Sequence, residues 1–131
     1  MKEVYDFLKE CQTYYLATVD GNEPKVRPFG TVNIFEDKLY IQTGKGKNVS
    51  KQIEKNNNVE LCGFNKGQWI RVSGKLIRDE RVEAKKSMLD NYPDLRGMYN
   101  ENDDVTEVLY FDNNSLKATL YSFTSEPKEL I

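Results

Sequence analysis

Histidine is absent from this chain of 131 residues. Without it the protein can form neither the Ser–His nor the Cys–His pairs of nucleophilic catalysis, and it lacks the commonest protein ligand of transition metals. Catalysis would therefore depend on Lys, Arg, Tyr and carboxylate groups, or on a reactive group that the protein binds. We interpret this absence as a pointer to an organic cofactor, and we predict no metal site.

Cysteines and long apolar runs are also scarce. Cys11 and Cys62 lie far apart and form no CxxC pair, so the sequence predicts no disulfide framework. No run approaches the ~20 apolar residues of a membrane span. The first residues lack the basic and apolar regions of a signal peptide. These features predict a cytoplasmic protein without a membrane partner.

The charge balance excludes one further class of partner. The chain has 19 basic and 21 acidic residues, which gives a net charge of −2. A general nucleic-acid binder is more often basic overall, so we predict no nucleic-acid partner. The composition, 38% hydrophobic and 31% charged, is typical of one soluble globular domain, and we assign residues 1–131 to it.

The periodicity of the apolar residues predicts a mainly β protein of the α+β class. Asp20-Gly21 is a strong hairpin signal, Pro28 indicates an edge, a bulge or a bend, and Asp79 is a candidate helix N-cap. Sequential hairpins favour an antiparallel, barrel-like sheet of about six or seven strands with peripheral helices. The predicted helices cover residues 2–11, 47–55 and 80–91, and the predicted strands cover residues 13–19, 25–35, 38–43, 59–64, 69–77, 106–111 and 117–123.

The segment from 39 to 53 carries the strongest functional signal. It reads as a strand, a turn with two glycines, and a helix start with three lysines and no acid between 44 and 52. A helix start offers unpaired N–H groups and a positive dipole end, so this segment predicts a phosphate site. Neither GxxxxGK[ST] nor GxGxxG is present. The alternative interpretation is a solvated, lysine-rich loop that precedes a helix.

Two further pairs of residues are candidates for ligand contact. Arg27 lies on a strand that we expect to pair with residues 39–43 in a hairpin, which would let Arg27 and Thr43 face one phosphate-bearing ligand. Trp69 and Arg71 share one face of a later strand, where they suit a flat aromatic ligand. The alternatives are an exposed edge-strand Arg27 and a half-buried Trp69 covered by Arg71.

The order of these segments resembles the pyridoxamine 5′-phosphate oxidase-like family, the FMN-binding split β-barrel superfamily with its nitroimidazole-resistance and general-stress members. The resemblance rests on residues 26–29 (VRPF), 39–43 (LYIQT), 47–53 (KNVSKQI) and 56–59 (NNNV). It implies an antiparallel split barrel and a homodimer with FMN at the interface.

The resemblance also implies site residues. Arg27, Pro28 and Phe29 would lie along the flavin ring and ribityl chain, and Gln42 and Thr43 would contact the flavin from the next strand. The phosphate-binding turn and its neighbourhood would comprise Lys47, Asn48, Lys51 and Gln52. Trp69 and Arg71 would approach the flavin from the second subunit.

One departure limits the function that the resemblance implies. The family's oxidases carry a C-terminal Arg-x-His pair, which a chain without histidine cannot have. We therefore expect not a true pyridoxamine phosphate oxidase but an FMN-dependent oxidoreductase acting on a small organic substrate, with no catalytic residue identified. The alternatives are a non-enzymatic flavin-binding or electron-carrier protein, and a haem- or tetrapyrrole-binding protein of the same fold.

Overall fold

The computed structural model describes residues 1–131, and it consists of nine strands, three α-helices and one 3₁₀-helix. In chain order the elements are α1 (Lys2–Cys11), β1 (Tyr14–Asp20), β2 (Glu23–Phe29), β3 (Asn33–Phe35), β4 (Lys38–Gly44), α2 (Asn48–Lys55), β5 (Asn58–Asn65), β6 (Gln68–Asp79), α3 (Val82–Asn91), the 3₁₀-helix (Pro93–Gly97), β7 (Thr106–Phe111), β8 (Lys117–Ser122) and β9 (Lys128–Glu129).

All strand pairs are antiparallel, and the sheet runs in the order β2-β1-β5-β6-β7-β4-β3. The 12-residue strand β6 joins the two halves, because its first part pairs with β5 and β8 and its last part with β7. The edges β2 and β3 do not pair with each other, so the barrel stays open. This arrangement confirms the predicted antiparallel split β-barrel.

The core fills the inside of the open barrel with 19 buried apolar residues. The predicted alternation along β6 is confirmed, since Ile70, Val72 and Leu76 point into this core and are no more than 2% exposed. Helix α1 closes one end of the barrel by inserting Val4 and Leu8. Burial of apolar surface supplies the main stabilising free energy of such a core.

The segment predicted as one strand over 25–35 is two strands, β2 and β3, separated by residues 30–32. This break and the short strand β9 raise the number of strands from the predicted six or seven to nine. Pro24 and Pro28 in β2 have no N–H to donate, which suits the edge position that Pro28 predicted.

The predicted hairpin between the Arg27 strand and β4 is wrong. Strand β2 pairs with β1 alone, and Arg27 lies opposite Leu16. The hairpin partner of β4 is β3, through a turn at Glu36 and Asp37 in which both residues have positive φ. The break after Phe29 carries the chain across the open side of the barrel, so β2 and β4 face each other without hydrogen bonding.

The predicted N-cap of α3 is also wrong. The helix begins after Arg81, and no side chain caps it. Asp79 instead ends β6, where its carboxylate accepts hydrogen bonds from Tyr40 Oη at 2.7 Å and Arg81 Nη2 at 2.9 Å. Asp79 Oδ1 also accepts from the backbone N–H of Arg81, at 3.1 Å, and from no N–H group within α3 itself.

Candidate functional site

Helix α2 begins after a turn whose backbone requires glycine. Gly46 has a φ of 84°, a conformation that side chains with a Cβ rarely adopt. The N-cap is Lys47, and no side chain caps the helix. The N–H groups of Asn48, Val49 and Ser50 thus precede the first intrahelical hydrogen bonds, at the positive end of the helix dipole. This end of α2 suits an anion.

A buried ion pair anchors the helix start to the sheet. Ser50 Oγ donates to Glu107 Oε2 at 3.0 Å, and Arg78 Nε lies 2.9 Å from the same oxygen. The Glu107 side chain is 1% exposed, so its charge needs a partner within the protein. Arg78 balances that charge, so the buried carboxylate leaves no net negative charge beside the start of α2.

A groove of about 670 Å³ opens between α2 and the β2 edge. Five of its ten lining residues are basic and one is acidic. The lining residues are Asp20, Lys25, Val26, Arg27, Lys47, Asn48, Val49, Lys51, Gln52 and Lys55. We call this the basic groove. It brings together four candidate residues from 47–52 and Arg27.

Arg27 is fixed within the basic groove by three acceptors. Its Nη1 donates to Thr18 Oγ1 at 2.7 Å and to the Leu16 carbonyl at 3.3 Å, and its Nη2 donates to Gln52 Oε1 at 2.6 Å. Burial lowers the pKa of Arg27, although a guanidinium stays charged at neutral pH. Thr18 also donates to Gln52 Oε1, at 2.6 Å. The result is a cation of fixed orientation between β1, β2 and α2.

A second, smaller pocket of about 230 Å³ adjoins the basic groove and shares Lys47 with it. It lies where the ends of β2 and β4 face each other across the open side of the barrel. Its lining residues are Pro28, Phe29, Gly30, Thr31, Gln42, Thr43, Lys47, Leu95, Met98 and Tyr99. We call this the seam pocket. It collects the remaining candidate residues from β2 and β4.

Gln42 is the one buried amide of the seam pocket. It is 7% exposed, and neither its Oε1 nor its Nε2 has a hydrogen-bond partner in the chain. Leaving a buried polar group unpaired costs about 1–3 kcal/mol. The Oε1 and Nε2 atoms of Gln42 can therefore pair with a ligand that offers both a donor and an acceptor.

The far wall of the seam pocket comes from Leu95, Met98 and Tyr99. Hydrogen bonds to Asp103 from the backbone N–H groups of Asn100 and Thr106 brace the loop behind this wall. Burial acts to raise the pKa of Asp103, but these bonds outweigh it and hold the pKa at about 2. This wall was not predicted from the sequence, because residues 94–104 carry no regular apolar period.

Comparison with known proteins assigns the family. The family model described as pyridoxamine 5′-phosphate oxidase matches residues 1–113.

This chain belongs to the pyridoxamine 5′-phosphate oxidase family.

One solved structure supports this family, and two others share the fold. A NimC/NimA family protein from Clostridium acetobutylicum is 43% identical, with a TM-score of 0.93, over 98% of this chain and 90% of that one. General stress protein 26 from Bacillus anthracis is 22% identical, with a TM-score of 0.72, over 98% of both chains. A haem-binding protein from Mycobacterium smegmatis is 9% identical, with a TM-score of 0.71, over 93% of this chain and 56% of that one.

The last two likenesses show the fold alone. No curated protein matches this chain. None of the helices in this family member is both long and apolar enough to cross a membrane.

Trp69 and Arg71 line neither pocket of this family member. Trp69 stacks on Tyr121 with ring centroids 5.5 Å apart, and Arg71 Nε lies 3.3 Å from Glu60 Oε2. In the sheet, Arg71 lies in the same cross-strand row as Pro28, three strands away. Three strand spacings correspond to roughly 14 Å along the sheet, so Arg71 lies well away from the seam pocket of its own chain. Their predicted role from a second subunit stays a prediction.

Proposed function

We propose that this chain binds FMN between the seam pocket and the end of the basic groove at the start of α2, and that it acts as an oxidoreductase on a small organic molecule. The observation that carries the proposal is the unpaired amide of Gln42, buried beside a cationic helix start. The Gln42 amide suits the polar edge of a flavin ring, and the cationic start of α2 suits the phosphate of FMN. Together the two cavities have the size range of a cofactor site.

The phosphate end of FMN would bind at the start of α2. The free N–H groups of the first turn would donate to the phosphate oxygens, and Lys47 and Lys51 would supply the charge. The Asn48 side chain, which lines the same groove, would add a further donor.

The ring end would lie in the seam pocket. Gln42 would present one acceptor and two donors to the ring edge, with Thr43 beside it on β4. Pro28 and Phe29 would supply apolar surface from β2. When bound, FMN supplies the hydride and electron chemistry, and the chain supplies binding, orientation and exclusion of water.

Arg27 would act as the fixed positive charge beside the cofactor. Thr18 and Gln52 hold its guanidinium in place before any ligand arrives. A preorganised cation stabilises negative charge that develops nearby without a cost of reorientation. Gln52 Nε2 donates to no group of the chain and would be free to contact the ligand.

The active form would be a homodimer with FMN at the interface. The outer face of the sheet exposes a cluster of aromatic side chains, with Phe64 60% and Phe123 78% exposed near Trp69. A contiguous exposed apolar surface of this kind favours a protein interface. Covering this face with a second subunit would bring the partner's Trp69 and the partner's Arg71 towards the flavin. A cytoplasmic location stays a prediction from the sequence.

The substrate would be a small electron acceptor, with nitroaromatic and quinone-like compounds as the first classes to test. The discriminating experiment is anaerobic reduction of the FMN-loaded protein, followed by mixing with a panel of such acceptors. An enzyme should reoxidise with some of them at least ten times faster than with the others. Uniform, slow reoxidation would instead indicate an electron carrier. A Soret band without flavin absorption in the spectrum of the protein as purified would indicate a haem protein.

A further inference from the structure

The basic groove extends well beyond the start of α2. Lys47, Lys51 and Lys55 recur every four residues along the helix and therefore share the face that lines the groove. Lys25 and Arg27 line the opposite wall from β2.

Lys47, Lys51 and Lys55 lack the ion pairs that one lysine on each of the other two α-helices forms with an acid four residues away. On α1, Lys2 pairs with Asp6 at 2.7 Å, and on α3, Lys86 pairs with Asp90 at 2.7 Å, both at a spacing of four residues. None of Lys47, Lys51 and Lys55 forms an ion pair within the chain, although acids outnumber bases overall. Like charges four residues apart repel and weaken a helix. Binding of an external anion therefore explains the three lysines better than a role in solubility does.

One phosphate cannot account for the whole row. Eight residues separate Lys47 from Lys55, which corresponds to about 12 Å along a helix. A phosphate at the first turn of α2 would satisfy Lys47 and leave Lys55 without an anion. The facing Lys25 has only the exposed carboxylate of Glu23, at 3.2 Å, as a partner.

We propose that the far end of the basic groove, between Lys25 and Lys55, binds a second phosphate group, carried by a nucleotide. This proposal rests on FMN occupying the first turn of α2. The second phosphate belongs either to a separate nucleotide or to the cofactor itself in its dinucleotide form. Both sources share the chemistry of a phosphate bound by ammonium groups on opposite walls.

The test uses ADP and adenosine as probes of the FMN-loaded protein, and FAD and FMN as probes of the apoprotein, by calorimetric titration. The variant is Lys25→Ala/Lys55→Ala, and the matched control is Lys75→Ala/Lys117→Ala, which removes two exposed lysines without ion pairs. Circular dichroism and the unfolding midpoint establish that both variants fold.

If the second phosphate belongs to a separate nucleotide, ADP should bind to the FMN-loaded protein far more tightly than adenosine does. The Lys25→Ala/Lys55→Ala variant should then weaken ADP binding by at least about fivefold. If the second phosphate belongs to a dinucleotide cofactor, the apoprotein should bind FAD more tightly than FMN. The Lys25→Ala/Lys55→Ala variant should then bind the two with similar affinity. In both cases FMN affinity should stay within about twofold of the wild type.

The proposal is overturned if neither ADP nor FAD shows this dependence on Lys25 and Lys55, or if the control variant loses as much affinity. Failure of the proposed function gives a different result. The wild-type apoprotein would then not bind FMN, whereas ADP added to the apoprotein would still bind in a manner that depends on these two lysines.

Discussion

Arg27 on β2 donates a 2.6 Å hydrogen bond to Gln52 on α2, and this bond joins the sheet edge to the helix of the basic groove. Neither residue is close to the other in sequence, and their strands and helices share no backbone pairing. The bond fixes the orientation of a cation before a ligand binds. In the proposed FMN complex, the affinity would therefore depend on a hydrogen bond within the chain itself.

A double-mutant cycle tests this link between Gln52 and Arg27. Gln52→Ala should weaken FMN binding about three- to tenfold in the wild type, because Arg27 loses a charge-assisted acceptor. In an Arg27→Ala background the same change should have little further effect. Calorimetric titration of the four proteins measures the coupling, and independent, additive losses would show that Gln52 does not act through Arg27.

The Lys47→Ala/Lys51→Ala variant should distinguish the contribution of the phosphate to FMN binding from that of the ring. Loss of two ammonium groups at the helix start should weaken FMN by at least about tenfold while riboflavin, which lacks the phosphate, changes little. Fluorescence titrations with both ligands give the ratio, and Lys75→Ala/Lys117→Ala controls for total charge. Equal losses of affinity for FMN and riboflavin would mean that these lysines do not bind the phosphate.

Gln42→Leu should have opposite effects on stability and on binding. In the apoprotein it replaces an unpaired, buried amide with an apolar group of similar size, so the free energy of unfolding should hold or rise by about 1–2 kcal/mol. Affinity for FMN and for riboflavin should fall together, because the ring loses its amide partner. Urea unfolding and flavin titration measure the two effects. A destabilised apoprotein with unchanged flavin affinity would show that Gln42 does not contact the flavin.

Asp79 should make the fold sensitive to acid. Burial acts to raise its pKa, but hydrogen bonds from Arg81 and Tyr40 outweigh it and lower the pKa from 3.8 to about 2. Because the folded pKa lies below the unfolded one, the stabilisation is complete above about pH 4 and is lost as the pH falls towards 2.

Asp79→Asn provides the measurement for this carboxylate. At pH 7 the variant should be less stable by about 2 kcal/mol, and the difference from the wild type should shrink as the pH falls from 4 to 2. Urea unfolding at pH 7, 4, 3 and 2 follows this trend. A difference that is constant over this range would show that the charge of Asp79 does not stabilise the fold.

The sequence predicted the elements of the barrel well, because strong local signals mark them. The alternation in β6, the helix start at Lys47 and the turn at Asp20-Gly21 each depend on neighbouring residues. The pairing of β2 was predicted incorrectly, because nothing local distinguishes a hairpin from a strand that breaks after Phe29 and crosses the open side.

The candidate site was predicted in part for the same reason. The residues near Lys47 and those near Gln42 lie on one continuous segment, and Arg27 joins them through tertiary contacts with Thr18 and Gln52. The wall around Tyr99 is distant in sequence and irregular, so only the folded chain places it at the seam pocket.

Mass identification of the small molecule released from the purified, native protein is the decisive test of FMN binding. We expect FMN, in a ratio of one per chain, from a yellow protein whose native mass is that of a dimer. A colourless monomer that releases no flavin and does not bind added FMN would contradict it.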